Sequence, residues 1–387
     1  MKTLRSGRNR RKGIYVLLLM GLLGLSGCGS PSSASVEMSS QTELVKTGSM
    51  ELQYAENFAV DYYEDGYKML TTLPDSKRYL LVPEGQPMPR GLDEDVSILQ
   101  EPLQNIYLVA SGAMDMFASL DAVDQIRFSG QKQENWYIQT AKDAMAAGDM
   151  IYAGKYSKPD YELLVSEGCD LAIENRMITH SPEVVEMLQS FDIPVMIEYS
   201  SYEQHPLGKV EWVKFFGALT GKEAEAEEAF AEQTEILEKV ESGEKTGKTI
   251  AFFYVTSNGL IQVRQSTDYI PKLIELAGGR YIFEDLEDSG SGRSTLNMQV
   301  EDFYAGAKDA DILIYNSSID GGVTTLDELI GKCNILKDFK ALQEGQVYCT
   351  TNDMYQQSMA IGYLLQDMHT VLTDDDTAKL RYLFLLQ

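Results

Sequence analysis

The chain has 387 residues, and its 59 Asp and Glu outweigh 33 Lys and Arg for a formal charge of −26. So acidic a body excludes phosphate-backbone recognition, which relies on Lys and Arg patches. It serves solubility and does not report a ligand preference.

Residues 2–12 carry Lys2, Arg5, Arg8, Arg10, Arg11 and Lys12 without an acid, and "GIYVLLLMGLLGL" follows. This apolar run is short for a membrane span but suits a signal-peptide core. It ends in "LSGC", which resembles the bacterial lipobox, where Cys28 becomes the lipidated first residue; the alternative is an ordinary signal peptide with a chance cysteine. Loss of this leader (residues 1–27) takes the charge from −26 to −32. Residues 28–50 are polar, small and poor in aromatics, the composition of a flexible tether. The chain thus reads as exported and lipid-anchored to the outer face of a cytoplasmic membrane. About 335 residues remain, which favours two domains over one core.

Past the tether, "NFAVDYYEDGYKMLTTL" alternates and turns at Asp65-Gly66, a hairpin signal, and "KRYLLVP" offers a further strand, so an antiparallel segment leads into the first domain. The strand "NIYLVA" is followed by Ser111 as an N-cap and by Met114, Phe117 and Leu120 on one helical face; "QIRFSG" returns as a strand. Then come a helix at Tyr161, the strand "DLAIEN", a helix opened by Ser181-Pro182 and the strand "IPVMIEY". Residues 207–242 form a helical linker. Its second part, Lys222 to Glu241, is rich in Ala, Glu and Leu, and about 20 helical residues reach about 30 Å, enough to bridge two domains.

The second half repeats the plan: strand "TIAFFYV", helix "DYIPKLIELA" stopped by Gly278-Gly279, strand "YIF", a helix at Glu301, strand "DILIYN", a helical stretch at "ILKDFKAL" and strand "QVYCTT". The passages "YELLVSEGCDLAIEN" and "VEDFYAGAKDADILIYN" are near rewrites of one another, each running from a glutamate (Glu162, Glu301) through a helix to an aspartate (Asp170, Asp311) and a strand. Such alternation gives an α/β fold of two lobes containing parallel sheets, residues 51–206 and 243–387, joined by one long helix with a ligand cleft between them. Of the cysteines, Cys169 leads into an apolar strand as core, whereas Cys333 and Cys349 are candidates for a pair in an oxidising compartment.

The lipobox, the order of "NIYLVASGAMDMFASLDAVDQI", "KPDYELLVSEGCDLAI", "FFGALTGKEAEAEEAF", "LIELAGGRYIF" and "VEDFYAGAKDADILIY", and the single bridging helix together resemble the substrate-binding proteins of ABC importers for ferric siderophores, haem and cobalamin. The resemblance implies a monomer that binds a small-molecule metal chelate, has no intrinsic cofactor, and docks on an ABC permease through one acidic residue per lobe. By position these are Glu162 and Glu301; either acid would also favour the dipole of its helix without any docking role.

The crevice outside the carboxyl ends of the strands should take the ligand. Loops converging there nominate Ser111, Trp136, Tyr156, Arg176, His180, Tyr199 and Tyr202 from the first lobe, and Arg264, Tyr269, Arg293 and Tyr355 from the second. Aromatics supply flat contact area, and arginines clamp anionic oxygens through forked hydrogen bonds, so the ligand should be an anionic complex such as a ferric siderophore. Cobalamin would lean on Trp136 and the tyrosines, and haem on a tyrosine or histidine ligand. A bare metal ion needs several converging His and carboxylates, and the chain has only His180, His205 and His369.

No enzyme motif holds together. "GEKTGKT" has Ser242 where a phosphate loop needs its first glycine and leads into a strand, and "SGSGRS" lacks the strand-serine-helix elbow of a hydrolase. An anchored extracellular hydrolase remains the rival from another class.

Overall fold

The computed structural model describes residues 43–287, 294–317, 322–375 and 377–387; the leader, Cys28 and Arg293 lie outside the described residues. Alternating apolar residues build a first sheet of five strands, β1 (Lys46–Ser49), β2 (Phe58–Tyr63), β3 (Lys68–Thr72), β4 (Lys77–Val82) and β5 (Val96–Gln100), in that spatial order. All its pairs are antiparallel except β4 with β5. Asp65 and Gly66 take φ of 58° and 86°, the left-handed pair a tight hairpin demands. Two expectations change here. The tether was expected to run to residue 50, but Lys46–Ser49 form a fully exposed edge strand whose polar composition matches its position. The segment leading into the first lobe is also a complete sheet of its own, since β5 pairs only with β4.

The second sheet is all parallel. It comprises β6 (Ile106–Leu108), β7 (Ile126–Ser129) and β8 (Ile151–Tyr152), then, after the small hairpin β9 (Gly154–Lys155) and β10 (Lys158–Pro159), β11 (Leu171–Asn175) and β12 (Val195–Glu198), in the order β12-β11-β6-β7-β8. Its helices are α1 (Ala113–Ser119), α2 (Gln139–Ala147), α3 (Tyr161–Ser166) and α4 (Pro182–Ser190). Both faces are buried: Ile106, Leu108, Leu171 and Ile173 enter one core, Tyr107 and Ala172 another, which is why these strands read as continuous apolar runs.

Next come α5 (Pro206–Thr220) and α6 (Glu223–Glu241), then the third sheet. Its strands are β13 (Thr249–Val255), β14 (Ile261–Arg264), β15 (Arg280–Tyr281), β16 (Thr295–Met298), β17 (Ile312–Tyr315), β18 (Val347–Thr350) and β19 (Leu383–Leu385). The helices are α7 (Tyr269–Leu276), α8 (Val300–Ala307), α9 (Leu326–Lys332), α10 (Lys340–Gln343) and α11 (Ile361–Thr373). The order is β16-β14-β13-β17-β18-β19, with β15 also beside β13. Only β13, β15, β17 and β18 are parallel; β14, β16 and β19 run antiparallel and extend the sheet beyond the expected parallel core.

The repeated aspartates explain the duplicated passage. Asp170 Oδ2 accepts the backbone N–H groups of Gln104 and Asn105 at 3.0 and 2.9 Å, just before β6. Asp311 Oδ2 accepts Thr249 N–H at 2.7 Å, at the start of β13. In each sheet the aspartate opening one strand staples the start of its parallel neighbour, fixing register from the edge opposite the cleft.

Helix α5 belongs to the expected linker, yet every residue of it before Thr220 is buried. One apolar core runs from β2 and β3 through α1, α5 and α6 to α7 and α11 without a break between the two α/β sheets. Two carboxylates that this burial encloses are each held by several donors. Glu211 accepts the backbone N–H groups of Gln53, Tyr54 and Ala55 at 2.8 to 3.1 Å and lies 3.5 Å from Lys214. Glu203 accepts Glu56 and Asn57 N–H and the Trp212 indole. Two buried carboxylates thereby strap residues 53–57 onto α5, as buried charge requires. Helix α6 packs on α5, α1, α7 and α11, and Gln41–Gln387 form one compact unit. Among the described residues no helix is long and apolar enough to cross a membrane. Cys333 and Cys349 are both buried and share no disulfide.

Candidate functional site

A cleft of about 300 Å³ opens where the carboxyl ends of the parallel strands face residues of the other lobe. From the first lobe it is lined by Ala110, Ser111 and Gly112 after β6, Asn175, Arg176 and Met177 after β11, and Glu198, Ser201 and Tyr202 after β12. Lys209 of α5 forms part of it, and Arg264, Tyr269, Ser294, Met354 and Tyr355 come from the second lobe. Two other cavities are larger, about 360 Å³ beside Tyr54 and His205 and about 620 Å³ around Asp124 and Ala144. Neither gathers the ends of parallel strands, so we take the cleft as the site on the α/β crevice rule.

Six of the eleven nominated residues meet in this cleft: Ser111, Arg176, Tyr202, Arg264, Tyr269 and Tyr355. Ser111 is not the N-cap it was expected to be; that position is Gly112, without a side-chain cap, which leaves Ser111 facing the cleft. Arg264 closes β14 rather than lying on a loop, and its guanidinium is 3.5 Å from Asp268, whose other oxygen caps α7 through Ile270 N–H at 2.9 Å. The Arg176 guanidinium lies 4.4 Å from the Tyr202 ring centre and the Lys209 ammonium 4.8 Å from that of Tyr269, both within cation–π range. Among the cleft residues Met177, Tyr202 and Tyr355 are 50, 38 and 37 % exposed.

Four nominations fall elsewhere. Trp136 is 1 % exposed, a core residue whose indole donates to Ser129 Oγ at 3.0 Å. Tyr156 packs against the core on the α3 and α4 side of the parallel sheet. Tyr199 is buried near Asp75, and burial raises its pKa. His180 ends a short 3-10 turn on the surface, outside the lining. Trp136 misled because "QKQENWY" surrounds it with polar residues, while its own side chain turns inward. The other two histidines have structural tasks: His205 Nδ1 accepts Leu207 N–H as the cap of α5, and His369 Nδ1 lies 2.9 Å from Ala277 O.

Glu198 and Lys209 join the cleft without any local sequence signal, as do the contacts that hold its walls. Glu198 accepts Ser200 N–H at 2.7 Å, and burial raises its pKa. Across the lobes, Met359 N–H donates to Asp115 Oδ2 at 2.7 Å, and burial pushes the Asp115 carboxyl up to about 6. Fully buried Gln356 accepts Tyr137 N–H and donates to Asn135 O, both at 2.8 Å, and donates to the Tyr355 hydroxyl at 3.0 Å. One polar side chain thus latches the second lobe to the first and sets the position of a mouth tyrosine. Glu162 and Glu301 sit exposed in the first turns of α3 and α8. Among the described residues no cluster of His, Cys, Asp and Glu is arranged to hold a metal ion.

No family profile matches the chain. It is 24% identical to an uncharacterized lipoprotein of Methanocaldococcus jannaschii over 93% of this chain and 92% of that one. A second uncharacterized lipoprotein of that organism is also 24% identical, over 88% of this chain and 89% of its own length. Among solved structures, a possible iron-binding periplasmic solute-binding protein of Staphylococcus epidermidis superposes with a TM-score of 0.54 at 17% identity, covering 70% of this chain and 98% of that one. A catecholate-siderophore binding protein of Vibrio cholerae gives 0.54 at 13% identity over 70% and 94%. A heme binding protein of the same organism gives 0.55 at 14% over 69% and 98%. The chain therefore has the two-lobed α/β fold of these periplasmic binding proteins.

Proposed function

We propose that the chain is an exported lipoprotein, anchored through Cys28, that captures a chelated iron complex in the cleft and delivers it to an ABC permease. One observation carries this reading: cationic side chains from both lobes, Arg176 and Arg264, share a crevice whose mouth exposes Met177, Tyr202 and Tyr355. That combination suits a flat or aromatic-rimmed anionic chelate, with ring faces for contact and guanidinium groups for its oxygens. The solved structures it resembles include proteins described as binding a catecholate siderophore and heme, which supports the choice of ligand class. In this reading the ligand-contacting set is Ser111, Arg176, Tyr202, Arg264, Tyr269 and Tyr355; the chain acts as a monomer without catalytic turnover, and its lobes fall on either side of α5 and α6.

Docking on the permease is assigned to Glu162 and Glu301. Each is an exposed carboxylate at the same step of the repeated passage, one per lobe, so both meet fixed basic partners only when the lobes hold one relative position. The continuous core through α5, α6 and α11 limits how far the lobes swing, so recognition rests on a small adjustment. Visible absorption of the protein purified from its native host tests the ligand class. Ferric siderophore, haem and corrinoid chromophores differ; an iron-chelate band supports the reading, and ester turnover without a bound chromophore would favour the hydrolase instead.

A further inference from the structure

We infer that Lys209 selects the charge of the cargo: its ammonium receives an anionic donor group of the chelate at the floor of the cleft, so the ligand is a negatively charged complex rather than a neutral hydroxamate or corrinoid. This rests on the reading of the cleft as the capture site. Lys209 stands in the first turn of α5, after Pro206 and the His205 cap, where the helix presents its positive end. It is only 6 % exposed, yet it lines the cleft. Among the described residues its ammonium has no side-chain hydrogen bond and no ion pair, and it lies 4.8 Å from the centre of the Tyr269 ring.

The carboxylates that feel its charge are already engaged. Asp115 holds Met359 N–H, Glu198 holds Ser200 N–H, and Asp268 holds Ile270 N–H together with Arg264. A desolvated ammonium without a direct partner is costly, and a ring face compensates it only in part. An anionic oxygen arriving in the cleft supplies the missing charge-assisted bond, with Arg176 and Arg264 on the walls adding to the same field. The purely structural alternative is that Lys209 balances the three surrounding carboxylates and never meets a ligand.

The test uses two hexadentate ferric chelates of similar size on the full mature chain: a tris-catecholate, triply negative, and a tris-hydroxamate, neutral. Affinities come from quenching of intrinsic fluorescence and stability from thermal unfolding. We expect wild type to prefer the tris-catecholate by about tenfold or more, and Lys209→Met to lose about tenfold for that chelate while binding the tris-hydroxamate as wild type does. Lys209→Arg should restore most of the preference. Should Lys209→Met fail to fold, Lys209→Gln against Lys209→Arg makes the same comparison. A folded charge-removing variant that keeps the preference, or that weakens both chelates equally, overturns the assignment and leaves the capture reading standing. Binding of neither chelate by wild type overturns the capture reading and the assignment with it.

Discussion

Glu174→Gln should stabilise this protein at neutral and alkaline pH, by an amount that vanishes towards acid. Glu174 lies on β11 opposite Ile197, on the face that carries Tyr107 and Ala172, and both its carboxyl oxygens are buried without a hydrogen-bond partner. Burial alone pushes its pKa up to about 8, against about 4.3 for an unstrained glutamate in an unfolded chain. The folded state therefore keeps a proton that the unfolded state has released between these values. A raised carboxyl contributes its full stability below the unfolded value, and that contribution is lost as pH rises through the folded one. At about 1.4 kcal/mol per pKa unit, the accumulated penalty above pH 8 is about 3–5 kcal/mol. Glutamine keeps the volume and hydrogen-bonding poverty of the site but never ionises, so it escapes this slope. Urea unfolding at about pH 4.5, 6, 7.5 and 9 measures it: the two proteins should coincide at the acid end and diverge by about 1.4 kcal/mol per unit up to about pH 8. Parallel profiles across that window would refute the reasoning, because they would mean that Glu174 reaches water or a partner and ionises normally.

Glu211→Leu removes the acceptor for three backbone N–H groups and leaves Lys214 with Glu227 as its ion-pair partner; we expect a loss of about 3–5 kcal/mol in urea unfolding and early proteolytic cleavage near residues 53–57. Trp136→Phe should cost about 1 kcal/mol, for the lost bond to Ser129, and leave ligand affinity unchanged in titration; a large affinity loss would return Trp136 to the binding surface. Arg264→Ala should weaken an anionic chelate by about 1–3 kcal/mol and also lower stability, because Asp268 stays buried without its cation, both read from one set of ligand-dependent melts. Charge reversal at Glu162 and Glu301 together should abolish cellular uptake with affinity intact; normal uptake with lost affinity would contradict the docking role.

Most of the α/β plan could be read from residues because fully buried strands are continuous apolar runs, and the two Asp staples repeat at the same step. The antiparallel additions β14, β16 and β19 were harder: "IQVR" and "TLNM" are short, half-exposed and alternating, close to loop composition. Site residues were legible where a strand end delivers them directly into the crevice, as with Arg176, Tyr202 and Arg264. They were illegible where tertiary packing decides. Trp136 turns into the core from a polar segment, and Lys209 lies within an apolar helix, where a lysine would ordinarily be expected to reach solvent. The latch through Gln356 and the strap through Glu211 join residues more than 150 positions apart, and no local pattern announces them.

The most direct test of capture between the lobes is an anomalous-difference map at the iron edge from crystals grown with the ferric tris-catecholate. We expect one iron peak inside the cleft, flanked by Tyr202 and Arg176 on one wall and by Tyr355 and Arg264 on the other. An iron peak in the cavity beside Tyr54 and His205, or none in a chelate-saturated crystal, would contradict it.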